Sequence, residues 1–203
     1  MIKSKKVLSK LCELSAVIAV DNLDFIESKL NELKSSRIKS YLIYETILQA
    51  YLFCGFPIVI ESLRIFKNIY PKFLKAPEEY NPVKFRNAGI INCKLIYKNN
   101  YKKLIANMDR LSSDLKNWML IEGYGKIMNR QGLKLIEREF INVSILCTKF
   151  YKAQLHSHLK GCLNLGADKS DIEFILREIK SISGEMNYKK TMKLLNSFKI
   201  HNT

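Results

Sequence analysis

Helix breakers are scarce in this chain and unevenly placed. All four prolines, Pro57, Pro71, Pro77 and Pro82, lie between residues 57 and 82, so long stretches on either side are free of the residue that most disrupts a helix interior. No Asn-Gly or Asp-Gly pair occurs, and period-two alternation between turn signals is missing, which argues against β-hairpins. No apolar run approaches the ~20 residues that cross a bilayer, so no membrane association is expected. A basic start, Met1 to Lys10, is followed by no apolar core and cleavage site of the secretory kind. Cys12, Cys54, Cys93, Cys147 and Cys162 are odd in number, far apart and free of any C-x-x-C or zinc-ligand spacing. They read as small core residues in a reducing, cytoplasmic compartment. No metal or cofactor site is read from the sequence.

What the chain does have is apolar mass and lysine. With 47% apolar residues over 203 positions it can bury a real core. The formal charge of +15 raises the question of nucleic acid. Against that, 27 Lys stand beside only 7 Arg, the cation suited to bidentate base and phosphate contacts. The densest groups (Lys3, Lys5, Lys6; Lys98, Lys102, Lys103) are also short. The expectation is a solvated basic surface able to attract a small anion, not a nucleic-acid footprint.

Apolar residues recur at helical spacing, as in Leu8, Leu11, Leu14 and Ile18 and again in Ile136, Phe140, Val143, Cys147 and Phe150. Further helices are predicted over 23–35, 41–53, 58–70, 98–109, 114–128, 151–165, 170–182 and 187–199, giving an all-α fold. Gly166 suits a helix C-cap, and Asp168 or Ser170 can cap the helix that follows. A gapless shift of 129 residues places Leu14 on Val143, Ile26 on Leu155, Leu30 on Leu159, Ile47 on Leu176 and Gly55 on Gly184. Several helices and the glycine after them keep one register, which predicts a tandem duplication of one helical unit. The expected division is a first copy over 1–70, a proline-containing linker over 71–90, and a second copy with connecting helices over 91–203.

Two residues of the second copy suit acid–base chemistry. Glu139 lies just off the apolar stripe of its helix and is expected to be half-buried. His158 faces inward between Leu155 and Cys162, with Gln154 and Tyr151 one and two turns earlier. If the two helices pack antiparallel across a break near Thr148, carboxylate and imidazole meet as a proton-transfer pair. The alternative is a core histidine satisfied by one hydrogen bond. Cys147 could border the same cavity, but apolar surroundings would keep its thiol protonated and inert. Gly123 and Gly125 in EGYGK are wrongly spaced for a phosphate loop and read as points of close helix approach over Tyr124, while Trp118 reads as core.

Three segments together resemble the carboxymuconolactone decarboxylase and alkylhydroperoxidase family. The first is Arg138-Glu139-Phe140, followed by His158-x-x-x-Cys162-Leu163-Asn164-x-Gly166 and then Ser170-Asp171-Ile172. The second is YETILQAYLFCGFP, with Glu45, Gln49 and Gly55-Phe56-Pro57; the third is DLKNWMLIEGYGKIMNRQGLK, beginning at Asp114. The resemblance spans most of the chain and implies an alkylhydroperoxidase-like helical unit, with Glu139 and His158 as catalytic positions. The peroxidase branch carries a vicinal cysteine pair where this chain has Tyr151 and Gln154, so thiol peroxidase chemistry is not expected here. In the first copy Lys10 and Lys29 replace Glu139 and His158, which implies one site per chain, walled by the 41–53 helix and bordered by Tyr151, Gln154 and Cys147. The family implies a homo-oligomer, a trimer ahead of a dimer.

Two functional readings follow. One is a decarboxylase- or lyase-like enzyme moving protons on a small organic acid or lactone, with Glu139 and His158 as the acid–base pair. The other is a binding or assembly protein that keeps the fold without catalysis.

Overall fold

The computed structural model describes residues 4–198; Lys3 and Lys199, the last residue of the helix expected at 187–199, lie outside them. The fold is all-α, with no strand among the described residues. Helix α1 (Lys5–Val20) starts where the Ser4 side chain accepts a hydrogen bond from the Val7 amide, and it ends at Asp21 in the left-handed conformation. Asn22 caps α2 (Leu23–Ser35) in the same way through the Phe25 amide. Helices α3 (Ser40–Cys54) and α4 (Phe56–Ile69) meet at Gly55, whose φ of 83° only glycine adopts without strain.

An irregular stretch follows, and α5 (Pro82–Tyr97) then begins inside the segment expected to be linker. Pro82 sits in the first turn, where its missing N–H is no loss, and Asn81 caps the Lys84 amide. A short 3-10 turn (Lys98–Asn100) leads to α6 (Tyr101–Leu111) and α7 (Ser113–Trp118), and α7 runs directly into a π-helix (Met119–Ile127). The second half continues with α8 (Leu135–Lys149), α9 (Lys152–Asn164), α10 (Lys169–Glu178), α11 (Lys180–Ser183) and α12 (Glu185–Asn196).

Helices α1 and α8 pack side by side at the centre, linked by the Ser15 hydroxyl donating to the Ile141 carbonyl at 3.4 Å. Every α8 residue from Glu137 to Cys147 is buried. Such a helix has no solvent face, so each of its polar side chains must find a partner inside the protein. Helix α3 lies against both α1 and α8. A second, smaller core joins α5 to the π-helix through Cys93, Ile96, Leu120, Tyr124 and Met128, and α5 also packs on α9. Two glycines permit this contact. A Cβ on Gly89 would lie 1.9 Å from the Leu120 carbonyl oxygen, and one on Gly125 would lie 2.0 Å from that of Phe85.

At the 129-residue shift, α2 over 23–35 falls on α9 over 152–164 end for end, and Gly55 falls on Gly184, with φ of 83° and 84°. Between α8 and α9 the chain turns through Phe150, a non-glycine residue in the left-handed region at φ 53°.

Several local expectations need correction. Trp118 is 62% exposed rather than core, because α7 buries no residue of its own. Asp168 occupies the N-cap position of α10, but neither its side chain nor that of Ser170 makes a capping bond. Gly125 makes the expected close approach, whereas Gly123 faces open space. No helix among the described residues is long and apolar enough to cross a membrane.

Candidate functional site

Glu139 stands near the middle of α8 and is 0% exposed, not half-buried, because α9 and the α5/π-helix layer cover the polar edge of its stripe. Its Oε2 lies 2.8 Å from Nδ1 of His158 on α9, which is 7% exposed. The Asn142 side-chain amide donates to the other oxygen, Oε1, at 3.1 Å. Gly161, one turn beyond His158, makes room for the carboxylate: a Cβ there would lie 2.6 Å from Oε2. His158 Nε2 makes no hydrogen bond to a described residue and is not sealed from the surface. The ring is held edge-on by Phe53 of α3, with centroids 5.8 Å apart.

Helix α3 secures the pair from behind. The Gln49 amide donates at 2.7 Å to both the Asn142 side-chain oxygen and the Arg138 carbonyl, and its own oxygen accepts from Arg138 Nη1 at 3.0 Å. Arg138, wholly buried, also reaches Glu45 Oε2 at 3.1 Å. Arg130 grips Glu45 with a two-pronged contact, Nε to Oε2 at 2.8 Å and Nη2 to Oε1 at 2.9 Å, and Lys75 adds a third cation. Burial pushes the Glu45 carboxyl up, but Arg130, Lys75 and Arg138 outweigh it and hold the group below the ordinary carboxylate range. Arg138 Nε has no partner, so this network is costly to disturb.

Over the pair lies a phenolic roof. The hydroxyls of Tyr97 on α5 and Tyr124 on the π-helix meet at 2.7 Å, and the Asn92 side chain holds the Tyr124 carbonyl at 2.8 Å. Burial raises both phenols well above their usual range, and the Glu139 charge adds to the shift of each. Both phenols therefore stay protonated, paired with each other within the field of the Glu139 carboxylate.

The other expected site residues are not gathered here. Tyr151, at the start of α9, is 55% exposed, and Gln154 one turn on is exposed too. By helical spacing they share the face of His158, but both precede Leu155, the first α9 residue to enter the core. Cys147 is buried on another side of α8, its sulfur 3.2 Å from the Thr191 hydroxyl of α12. None of the three makes a hydrogen bond or ring contact with the pair. Burial raises the thiols of Cys12 to about 12 and Cys54 to about 11, and also pushes up Cys93, Cys147 and Cys162. Treatment of the native protein with a thiol-titrating disulfide at pH 8 is therefore expected to modify less than one cysteine per chain within minutes, and all five in denaturant. Rapid native labelling of Cys147 would show that its surroundings are not those described.

The first-half positions that the 129-residue shift sets against the pair carry charge in another arrangement. Lys10 and Lys29 both bind Glu13, at 3.1 and 2.6 Å, and both bind Glu32, at 2.8 and 2.5 Å. At the 129-residue shift Glu13 falls on Asn142 and Glu32 on Gly161, so these ion pairs stand at the positions that fall on the pair and its neighbours. The residues missed by sequence reasoning are Asn142, Arg138, Tyr97 and Tyr124. Of these, Asn142 and Arg138 had a local signal, one turn from Glu139 and next to it on the same helix.

No family model matches the chain. It is similar to Peroxisomal protein 2 of Schizosaccharomyces pombe (strain 972 / ATCC 24843), at 29% identity over 135 residues covering 63% of this chain. The match spans 62% of that relative's length.

Proposed function

We propose that this chain is a carboxymuconolactone decarboxylase-like protein, built from two copies of one helical unit, in which Glu139 and His158 move protons on a small organic acid or lactone. The observation that carries the reading is the 2.8 Å contact between His158 Nδ1 and a carboxylate that is itself wholly buried. A carboxylate so placed takes the Nδ1–H and leaves Nε2 as the basic nitrogen that exchanges a proton with substrate. Asn142 and Gln49 keep the carboxylate from rotating away. The matching helix boundaries and the paired Gly55 and Gly184 support the duplication.

Nitrogen-15 NMR of the imidazole tests this directly. His158 is expected to carry its proton on Nδ1 in the neutral ring, and Glu139→Gln is expected to disturb that tautomer. Release of carbon dioxide or a pH change from a panel of small lactone acids should disappear in both Glu139→Gln and His158→Gln. A neutral ring protonated on Nε2, or turnover indifferent to both substitutions, would overturn the assignment.

The exposure of Tyr151 and Gln154, where the peroxidase branch carries its thiols, supports the second reading, a binding or assembly protein. We further propose a homo-oligomer, a trimer ahead of a dimer. Leu95, Leu111, Leu115 and Trp118, exposed on α5 to α7, support it, and light scattering after size-exclusion chromatography measures it. For location we propose a reducing compartment. The cytoplasm is the sequence-based reading, and the name of the fission-yeast relative favours the peroxisome, which imaging of the tagged protein would decide.

A further inference from the structure

Outside the acid–base pair, one cavity of about 270 Å³ opens between the end of α5, α6 and α9. Its lining carries donors in unusual density. Lys103 stands on the α6 wall and Lys160 on the α9 wall, and His156, Ser157, Asn100 and Asn107 also line the cavity. No acidic residue lines it, and among the described residues neither lysine pairs with a carboxylate. Two cations that border one cavity without a carboxylate partner give it a positive potential that attracts an anion. The walls are also shaped. The His156 ring lies tilted at 38° to Phe198 with centroids 4.7 Å apart, and the Lys160 ammonium lies 5.8 Å from the same ring. Asn164 ties α9 to the Ile96 carbonyl at 2.7 Å.

We infer that this cleft binds a small organic dicarboxylate, one carboxylate on Lys103 and the other on Lys160. Ile96, Leu104 and the Tyr97 ring supply an apolar wall, which a carbon skeleton covers and inorganic phosphate leaves bare. Tyr97 belongs to both places: its ring borders the cleft, and its hydroxyl lies within the field of Glu139 and on the Tyr124 hydroxyl. An anion in the cleft therefore lies against the same side chain that roofs the acid–base pair. The binding itself needs no chemistry at that pair.

Calorimetric titration of the full chain with succinate at low salt tests the inference. Saturable binding with Kd below ~1 mM is expected, against at least tenfold weaker binding of inorganic phosphate. Lys103→Ala/Lys160→Ala should weaken succinate tenfold or more. Lys189→Ala/Lys193→Ala, which removes the same charge from exposed positions on α12, should change it less than twofold. His158→Gln should bind succinate as the unmodified protein does, so loss of turnover and loss of binding remain separate results. Equal weakening by the two lysine pairs would reduce the effect to net charge. Absence of saturation, or phosphate binding as tight as succinate, would also overturn the dicarboxylate site.

Discussion

Glu45→Ala is expected to cost about 3–5 kcal/mol of folding stability. The substitution removes the counter-charge of Arg138, which is wholly buried, and of Arg130, which is largely so. Most of the loss is the cost of leaving the Arg138 guanidinium without its carboxylate, since Arg130 keeps Glu78 at 2.8 Å, so Glu45→Ala/Arg138→Met should recover a large part of it. Equilibrium denaturation in urea measures all three proteins, and a single-mutant cost below about 1 kcal/mol would show that water or rearrangement neutralises the cluster. The same group sets an acid limit. Its folded-state carboxyl is held below the ordinary value of about 4.3, so its contribution is fully present above that value. That contribution is lost as pH falls from there through the depressed folded value. Stability measured from pH 7 downward should drop below about pH 4.3, and Glu45→Ala should show a shallower drop.

The second large effect lies at a point without any side chain. Gly89→Ala drives a Cβ into the Leu120 carbonyl, backbone that cannot swing aside. Separating α5 from the π-helix should cost about 3 kcal/mol, the upper end for overpacking, and lower Tm by roughly 6–12 °C. Gly123→Ala, with nothing within 4 Å of the added carbon, provides the control and should be neutral or slightly stabilising. Equal melting of the two variants would mean that the roof tolerates more separation than its geometry implies. Because the roof carries Tyr97 and Tyr124, Gly89→Ala should also disturb the imidazole signals of His158, and Gly123→Ala should not.

How legible this was from sequence follows the range of each interaction. Helices with strong apolar periodicity, α1 and α8 above all, could be read directly, and so could the inward face of His158. The meeting of Glu139 with His158 needed only two adjacent helices and the short turn between them. The network behind it joins Glu45 and Gln49 to Arg138 and Asn142 across some ninety residues of chain, and no local pattern reports such pairing. The first part of α5, up to residue 90, reads as linker for a different reason. Pro82 opens it, Gly89 interrupts it, and its best-packed residue is a glycine, so helix propensity and periodicity both understate it. Trp118 illustrates the reverse, an apolar residue whose helix offers it no core. Tyr151 and Gln154 share the angular face of His158 but lie nearer the exposed start of α9, because periodicity reports angular position on a helix and not depth along its axis.

The turn through Phe150 bears on how the interior could ever be reached. A glycine there would let α9 swing on α8, but a bulky residue locked in the left-handed region makes a stiff elbow. The distance between the two partners of the pair is thereby fixed by covalent geometry and close packing together. Any motion that widens the access already open to the imidazole then comes from the other side, by α5 and the π-helix lifting as one flap on the irregular stretch that precedes α5. In hydrogen exchange the amides of α5 and the π-helix should therefore open together and ahead of those of α8, whose own opening should require global unfolding.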